Sequence, residues 1–158
     1  LEDYCRVERL AIDDFHEAER LIRRGQREGM LKPRTPAEIG DLLPNCYGAT
    51  IGAHHLAGVC ALVRAPYEAE RAGEIVGLYT ITRFKGEGVG VRLVQRALHD
   101  ARTAGLAYVF ATTTVERAQS FFQRCGFQLV SHQQVPASKW RGYDPRRRRQ
   151  AAVLRYDL

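Results

Sequence analysis

One run of residues constrains this chain more than any other: Leu78-Tyr79-Thr80-Ile81-Thr82-Arg83-Phe84-Lys85-Gly86-Glu87-Gly88-Val89-Gly90. A β-type stretch, Glu74 to Thr82, meets a glycine-rich turn, and the turn opens a helical pattern from Val91. Glycine has no Cβ, so a ligand can approach the backbone closely there. The free N–H groups of the first helical turn point into that space and carry the positive end of the macrodipole, about half an elementary charge. Strand, glycine turn and helix together make an anion cradle whose natural occupant is a phosphate or pyrophosphate.

Two phosphate-binding patterns are excluded by spacing. Gly-x-x-x-x-Gly-Lys-Ser/Thr does not occur, so the turn is not a P-loop. A dinucleotide fingerprint needs Gly-x-Gly-x-x-Gly, whereas the glycines here fall at 86, 88 and 90.

The chain has 158 residues, 45 % apolar and 27 % charged, the make-up of one soluble globular domain spanning residues 1–158. A domain of that size buries roughly two-thirds of its unfolded surface. No apolar run reaches membrane-spanning length and no secretory leader is visible. The first residue is Leu1 rather than Met, as in a trimmed chain or a piece of a longer polypeptide. Cys5, Cys46, Cys60 and Cys125 are widely spaced without a Cys-x-x-Cys pair, so the expectation is buried free thiols in a reducing cytoplasm, with no zinc site and no disulfide framework. His54 and His55 have no carboxylate or third histidine nearby and read as a hairpin tip rather than metal ligands. The net charge of +6 is unevenly placed. From Pro136 to Leu158 there are seven basic and two acidic residues, with Arg146 to Arg149 consecutive. Such a run serves as a solvated face, a nucleic-acid patch, or an anion site for a small carboxylate or coenzyme phosphates.

Residue patterning predicts the order β-α-α-β-β-β-α-β-α-β-β. Tyr4 to Leu10 alternates as a first strand. Asp13 or Asp14 is placed to cap a helix with Phe15, Ala18, Leu21 and Ile22 on its apolar face. Thr35-Pro36-Ala37-Glu38 has the form of a capping box with proline at the first helical position, starting a short helix to about Leu43. Strands follow at about Tyr47 to Ala53 and His55 to Ala65, then Glu74 to Thr82. The next helix has Leu93, Val94, Ala97, Leu98 and Ala101 on one face and ends at Gly105. Ala107 to Ala111 reads as a buried strand. Val115, Ala118, Phe121, Phe122 and Cys125 mark a fourth helix, stopped by Gly126. Phe127 to Ser131 and Ala152 to Asp157 close the sheet. The fold class expected is α+β, a mixed, mostly antiparallel sheet with helices on both faces.

The spacing Lys85-Gly86-Glu87-Gly88-Val89-Gly90 resembles the Gln/Arg-x-x-Gly-x-Gly/Ala signature of the GNAT acetyltransferases, with Lys85 in place of Gln or Arg. The element order is similar to the GNAT acyl-CoA N-acyltransferase fold over nearly the whole chain. Ala118-Gln119-Ser120-Phe121-Phe122-Gln123-Arg124-Cys125-Gly126-Phe127 looks like the family's second signature, with Phe122 where many members carry a tyrosine that protonates the departing thiolate. A narrower resemblance is to bacterial N-acetylglutamate synthases. It rests on Arg27 to Arg34 (Glu-Gly-x-Leu-x-x-Arg), Gly73-Glu74-Ile75, Val135-Pro136-Ala137-Ser138-Lys139, Tyr143-Asp144, the Arg146 to Arg149 cluster and Val153-Leu154. The chain departs from them in having Gln150-Ala151 where Ser-Lys is common, and in a slightly longer region from Thr112 to Ala118. The amino-acid-kinase-like domain of the long synthases is not part of this sequence.

The resemblance implies acetyl-CoA as cosubstrate and no metal. The coenzyme's pyrophosphate would lie on Lys85, Gly86, Glu87, Gly88, Val89 and Gly90, and its pantetheine arm along main-chain groups of Leu78, Tyr79 and Thr80. An α-ammonium arrives protonated, so a base must act directly or through water; Glu74, at the start of the central strand, is the candidate, with a surface carboxylate as the plain alternative. Ser120, Thr113 or water would protonate the thiolate. Glutamate brings two carboxylates, which guanidinium forks bind bidentately. Arg34, with Lys32 beside it, fits one end, and Arg147 or Arg148, with Lys139 nearby in sequence, fits the other.

The expected function is acetyl transfer to the α-amino group of L-glutamate, the first step of arginine biosynthesis. The alternatives are a GNAT enzyme for another small amine or amino acid, and a non-catalytic module binding coenzyme A or nucleic acid. Only Trp140 and Tyr143 could stack bases near the arginines, which argues against nucleic acid. Members of the family are often dimers, so a homodimer is the assembly the resemblance implies.

Overall fold

The computed structural model describes residues 5–52, 55–81 and 88–158. Among them the chain runs β1 (Cys5–Arg9), α1 (Phe15–Arg27), α2 (Pro36–Leu42), β2 (Cys46–Ile51), β3 (His55–Val63), β4 (Ala72–Thr80), α3 (Val89–Thr103), β5 (Tyr108–Thr113), α4 (Glu116–Arg124), β6 (Gln128–Val130), α5 (Pro145–Gln150) and β7 (Ala152–Asp157). The order is the expected one with α5 added. Its signal is legible: Asp144 caps the helix through a 3.1 Å bond from the Arg146 N–H, and Pro145 occupies the first helical position.

Local chemistry explains the helix ends. Asp14 precedes α1 but makes no side-chain cap to it. Its carboxylate instead accepts the Ala11 N–H at 2.8 Å and closes the turn Ile12–Asp14. α1 ends in a Schellman motif, with Gly29 at φ +74° and the Met30 N–H on the Gly25 carbonyl at 2.9 Å. The capping box of α2 forms as expected. The Glu38 N–H reaches Thr35 Oγ1 at 3.2 Å, and the Thr35 N–H reaches Glu38 Oε1 at 2.9 Å.

The strands form one mixed sheet in the order β1-β2-β3-β4-β5-β7-β6. β1–β2, β2–β3, β5–β7 and β6–β7 pair antiparallel. β4 and β5 pair parallel, in a short register from Ala72↔Tyr108 to Glu74↔Phe110. The last strand in sequence thus enters between β5 and β6. Gly77 sits inside β4 at φ +64°, a left-handed residue of the kind that makes a bulge and re-aims the side chains after it.

Two compact units make up the chain. The first comprises Leu1–Leu62 with Ile75–Ala97, the second Val63–Glu74 with Leu98–Leu158. The first is cored by Leu21 and Ile22 of α1, Ile39 of α2, Leu56 and Val59 of β3, and Tyr79 of β4. In the second, Tyr67, Ala72, Tyr108, Phe110, Trp140 and Val153 pack together with their neighbours.

Candidate active site

Gly88 and the first part of α3, as far as Ala97, belong to the first unit. Lys85, Gly86 and Glu87 lie outside the described residues, as do His54 and Thr82. Gly88 has φ +80°, and among the described residues a Cβ added there would meet nothing within 4 Å. The backbone thus takes a conformation that favours glycine immediately before Val89 begins α3. The start of a helix is where backbone N–H groups without a helical partner are offered to an anion. α3 is held firmly. Arg92 and Arg96 donate to the Cys5 and Val7 carbonyls of β1, each at 3.1 Å. Gly58 of β3 lets the helix sit close, since a Cβ there would come within 3.0 Å of Leu93 and 3.1 Å of Val89.

Leu78 and Thr80 of β4 are half-buried, and Tyr79 is buried. The Tyr79 ring lies against Gly25 of α1, and its hydroxyl donates to the Glu28 carboxylate. That side chain is occupied by packing, so any part Tyr79 plays at a ligand falls to its main chain.

Glu74 stands on the same strand, in the second unit. It is 4 % exposed, so the alternative of a surface carboxylate is set aside. Lys139 Nζ lies 2.6 Å from Glu74 Oε2, and the Tyr67 hydroxyl donates to Oε1 at 2.8 Å. The two donors leave about half of the carboxylate's lone pairs open. The Tyr67 phenol is pushed well above its ordinary range, first by burial, then by the Glu74 charge and the hydrogen bond itself. It stays a neutral donor. Lys139 therefore has a partner that its expected role as a substrate-carboxylate ligand did not include. Its ammonium also lies 5.1 Å from the Tyr143 ring centre.

Of the arginines, Arg148 lies over the Trp140 ring at 5.0 Å, and Trp140 stacks on His132 at 4.7 Å. Arg147 is exposed on α5. Arg34 and Lys32 are in the first unit; Arg34 is half-buried and Lys32 exposed. Arg23 Nη1 donates to the Arg34 carbonyl at 2.6 Å and fixes that segment on α1. The structure thus joins Glu74 to Lys139 directly, and carries the remaining cations on separate elements.

Ser120 is half-buried on α4. The Thr113 hydroxyl accepts the Val115 N–H at 2.9 Å and so shapes the turn into α4. Phe122 is buried between Phe121 and Phe127, with ring centres at 5.5 and 5.1 Å. The thiols are poor candidates for an acyl-enzyme nucleophile. Burial pushes Cys46 up to about 12 despite the lowering effect of the Arg34 guanidinium, and it raises Cys5, Cys60 and Cys125 as well. All four are free. Among the described residues no group of three potential ligands could hold a metal, and no helix is long and apolar enough to cross a membrane.

The residue that sequence reasoning missed is Tyr67. It lies seven positions before Glu74, in a turn, and no periodicity connects the two.

The family model for the acetyltransferase (GNAT) family matches residues 10–127. The chain belongs to that family. Acetyltransferases of this family take the acyl group from acetyl-CoA. An "amino-acid acetyltransferase" of Enterobacter sp. (strain 638) is 28 % identical over all of this chain and 34 % of its own length. One from Edwardsiella ictaluri is 28 % identical over 94 % of this chain and 32 % of its own. The chain thus spans about a third of the curated relatives it matches. Among solved structures, N-acetylglutamate synthase of Neisseria gonorrhoeae, complexed with coenzyme A and N-acetyl-glutamate, superposes with a TM-score of 0.86. It is 23 % identical, over 100 % of this chain and 36 % of that one. A Mycobacterium tuberculosis protein solved with CoA has a TM-score of 0.76 at 21 % identity, with 97 % and 99 % of the two chains covered. At these identities the structural likeness speaks for the fold.

Proposed function

We propose that this GNAT domain transfers an acetyl group from acetyl-CoA to the α-amino group of L-glutamate, giving N-acetylglutamate. The observation that carries the reading is a buried carboxylate, Glu74, held by Lys139 at 2.6 Å and by the Tyr67 hydroxyl at 2.8 Å, in a chain that belongs to the acetyltransferase (GNAT) family. Acetyl-CoA supplies the thioester carbonyl and the thiolate leaving group.

The chain's own residues do the rest. Glu74, directly or through water, removes a proton from the α-ammonium and frees the lone pair that attacks the carbonyl. A backbone N–H of β4 polarises the carbonyl oxygen. As the C–S bond breaks, the thiolate takes a proton from Ser120 or water, since Phe122 has no hydroxyl. By the family resemblance, Arg34 is the ligand proposed for one carboxylate of the acceptor and Arg147 or Arg148 for the other, and the Lys139 ammonium holds one oxygen of Glu74. The curated relatives, named amino-acid acetyltransferases, support an amino-acid acceptor. A place in arginine biosynthesis, in the cytoplasm, and a homodimeric assembly belong to the same proposal.

The test is thiol release from acetyl-CoA with L-glutamate, L-glutamine and a panel of other amines. A preference for glutamate over glutamine of at least about tenfold is expected, about 1.4 kcal/mol of discrimination by the second carboxylate. Faster turnover of glutamine or of a cationic amine would move the acceptor to another class.

A further inference from the structure

The turn that delivers Tyr67 is built with some care. It spans Ala65–Glu70 and closes at Arg71, the one non-glycine residue at positive φ (51°) among the described residues. The Ala107 N–H holds the Arg71 carbonyl at 2.6 Å. Ser138 Oγ donates to the Pro66 carbonyl at 3.2 Å and ties this turn to the one bearing Lys139. A non-glycine residue in that region persists when its surroundings over-determine it. The Tyr67 ring is 5 % exposed and packs edge-on against Phe110, with ring centres 5.1 Å apart. Phe110 is the residue paired with Glu74 across β4 and β5. The ring's position is thus set by the same strand pair that sets Glu74.

We infer that Tyr67 is a positioning residue for acetyl transfer: its hydroxyl fixes the rotation of the Glu74 carboxylate and, with Lys139 on the other oxygen, keeps it aimed. The inference rests on the reading of Glu74 as the base. Among the described residues, two turns bring polar groups to Glu74. The turn 65–70 brings Tyr67, and the turn 137–140 brings Lys139, whose ammonium is flanked by Tyr143. β5 contributes the apolar Phe110, while Glu68 and Glu70 are exposed. A carboxylate held at both oxygens cannot turn about its last side-chain bond, and Tyr67 supplies one of the two holds. Removing the Tyr67 hydroxyl therefore leaves Oε1 free to swing out of the direction that proton removal needs.

The experiment compares the parent chain with Tyr67→Phe and Glu74→Gln. Turnover is followed with acetyl-CoA and whichever amine of the panel is acetylated fastest. In parallel, Tm and the Kd for coenzyme A are measured for each protein, which needs no acceptor. Phenylalanine keeps the ring and its packing, so the fold is preserved. Tyr67→Phe should lower kcat about tenfold with KM for acetyl-CoA and the Kd for coenzyme A unchanged. Unchanged kcat in Tyr67→Phe, with Glu74→Gln inactive, would overturn the inference and leave the Glu74 reading standing. A fall in kcat accompanied by equally weakened coenzyme A binding also overturns it, because the hold would then be structural only. Full activity in Glu74→Gln would remove the base and Tyr67's role with it.

Discussion

Glu74 illustrates how a buried charge is tolerated. Removing a carboxylate from water costs several kcal/mol, and the cost is offset only by close, well-directed partners. Here both oxygens are engaged, by Lys139 at 2.6 Å and Tyr67 at 2.8 Å. Breaking the pair from one side should therefore hurt more than removing it whole. Lys139→Met is expected to destabilise the fold by about 3–5 kcal/mol. Adding Glu74→Gln to that variant should restore a substantial part of the loss. Urea unfolding of the two single variants and the double variant measures the coupling, and simple additivity would show that the contact carries no energy of its own. Sequence alone named Glu74 and Lys139 as site residues, but for separate roles. They are 65 positions apart, and only folding brings β4 and the 137–140 turn together.

At the scale of elements, three glycine and capping features decide local geometry. Gly77 inside β4 has φ +64° and open space where a Cβ would go, so Gly77→Ala should cost about 1–2 kcal/mol through backbone strain alone. Gly25 is the opposite case. It lies within α1, where alanine is the better helix former by about 1 kcal/mol. A Cβ there would come within 2.8 Å of Leu31 and 2.9 Å of the Tyr79 ring. Overpacking should win, and Gly25→Ala should lower stability by about 1–3 kcal/mol; a rise in Tm would show that the loop 28–34 yields easily.

The capping box of α2 makes a pH prediction. The Glu38 carboxyl is held below its ordinary range, first by the Thr35 N–H, then by the Thr35 hydroxyl and by Lys32 and Arg34. A depressed folded value means that the contribution is complete above the ordinary glutamate range and is lost as pH falls through the folded value. Glu38→Gln should therefore flatten the acid side of a Tm-against-pH curve and leave the neutral side parallel to the parent. An unchanged acid slope would count against the box. This box, the Schellman end of α1 and the start of α5 are all written in short-range residue chemistry, which is why the box was read in advance and the other two could have been. The engagement of Asp14 with the Ala11 N–H was not readable, because either of two neighbouring aspartates satisfies the same pattern.

For the molecule as a whole, the family assignment makes acetyl-CoA binding the primary expectation. Coenzyme A at about a hundred times its Kd should stabilise the folded protein by about 2.7 kcal/mol, seen as a rise in Tm. Gly88→Val should abolish most of that rise, since a β-branched residue at φ +80° is strained and would distort the backbone immediately before α3. An equal rise in both proteins would mean that the turn does not carry the anion.

What the sequence by itself determined is the series of elements apart from α5, the glycine-led helix start, the capping box of α2 and the family, because each depends on residues within a few positions of one another. The tertiary structure alone decided that β7 enters between β5 and β6. It also decided that Glu74 is buried and doubly held, that Tyr67 is its partner and that Arg148 rests on Trp140. Those contacts join residues distant along the chain, and they form only when burial of the surrounding apolar side chains repays the entropy of bringing them together.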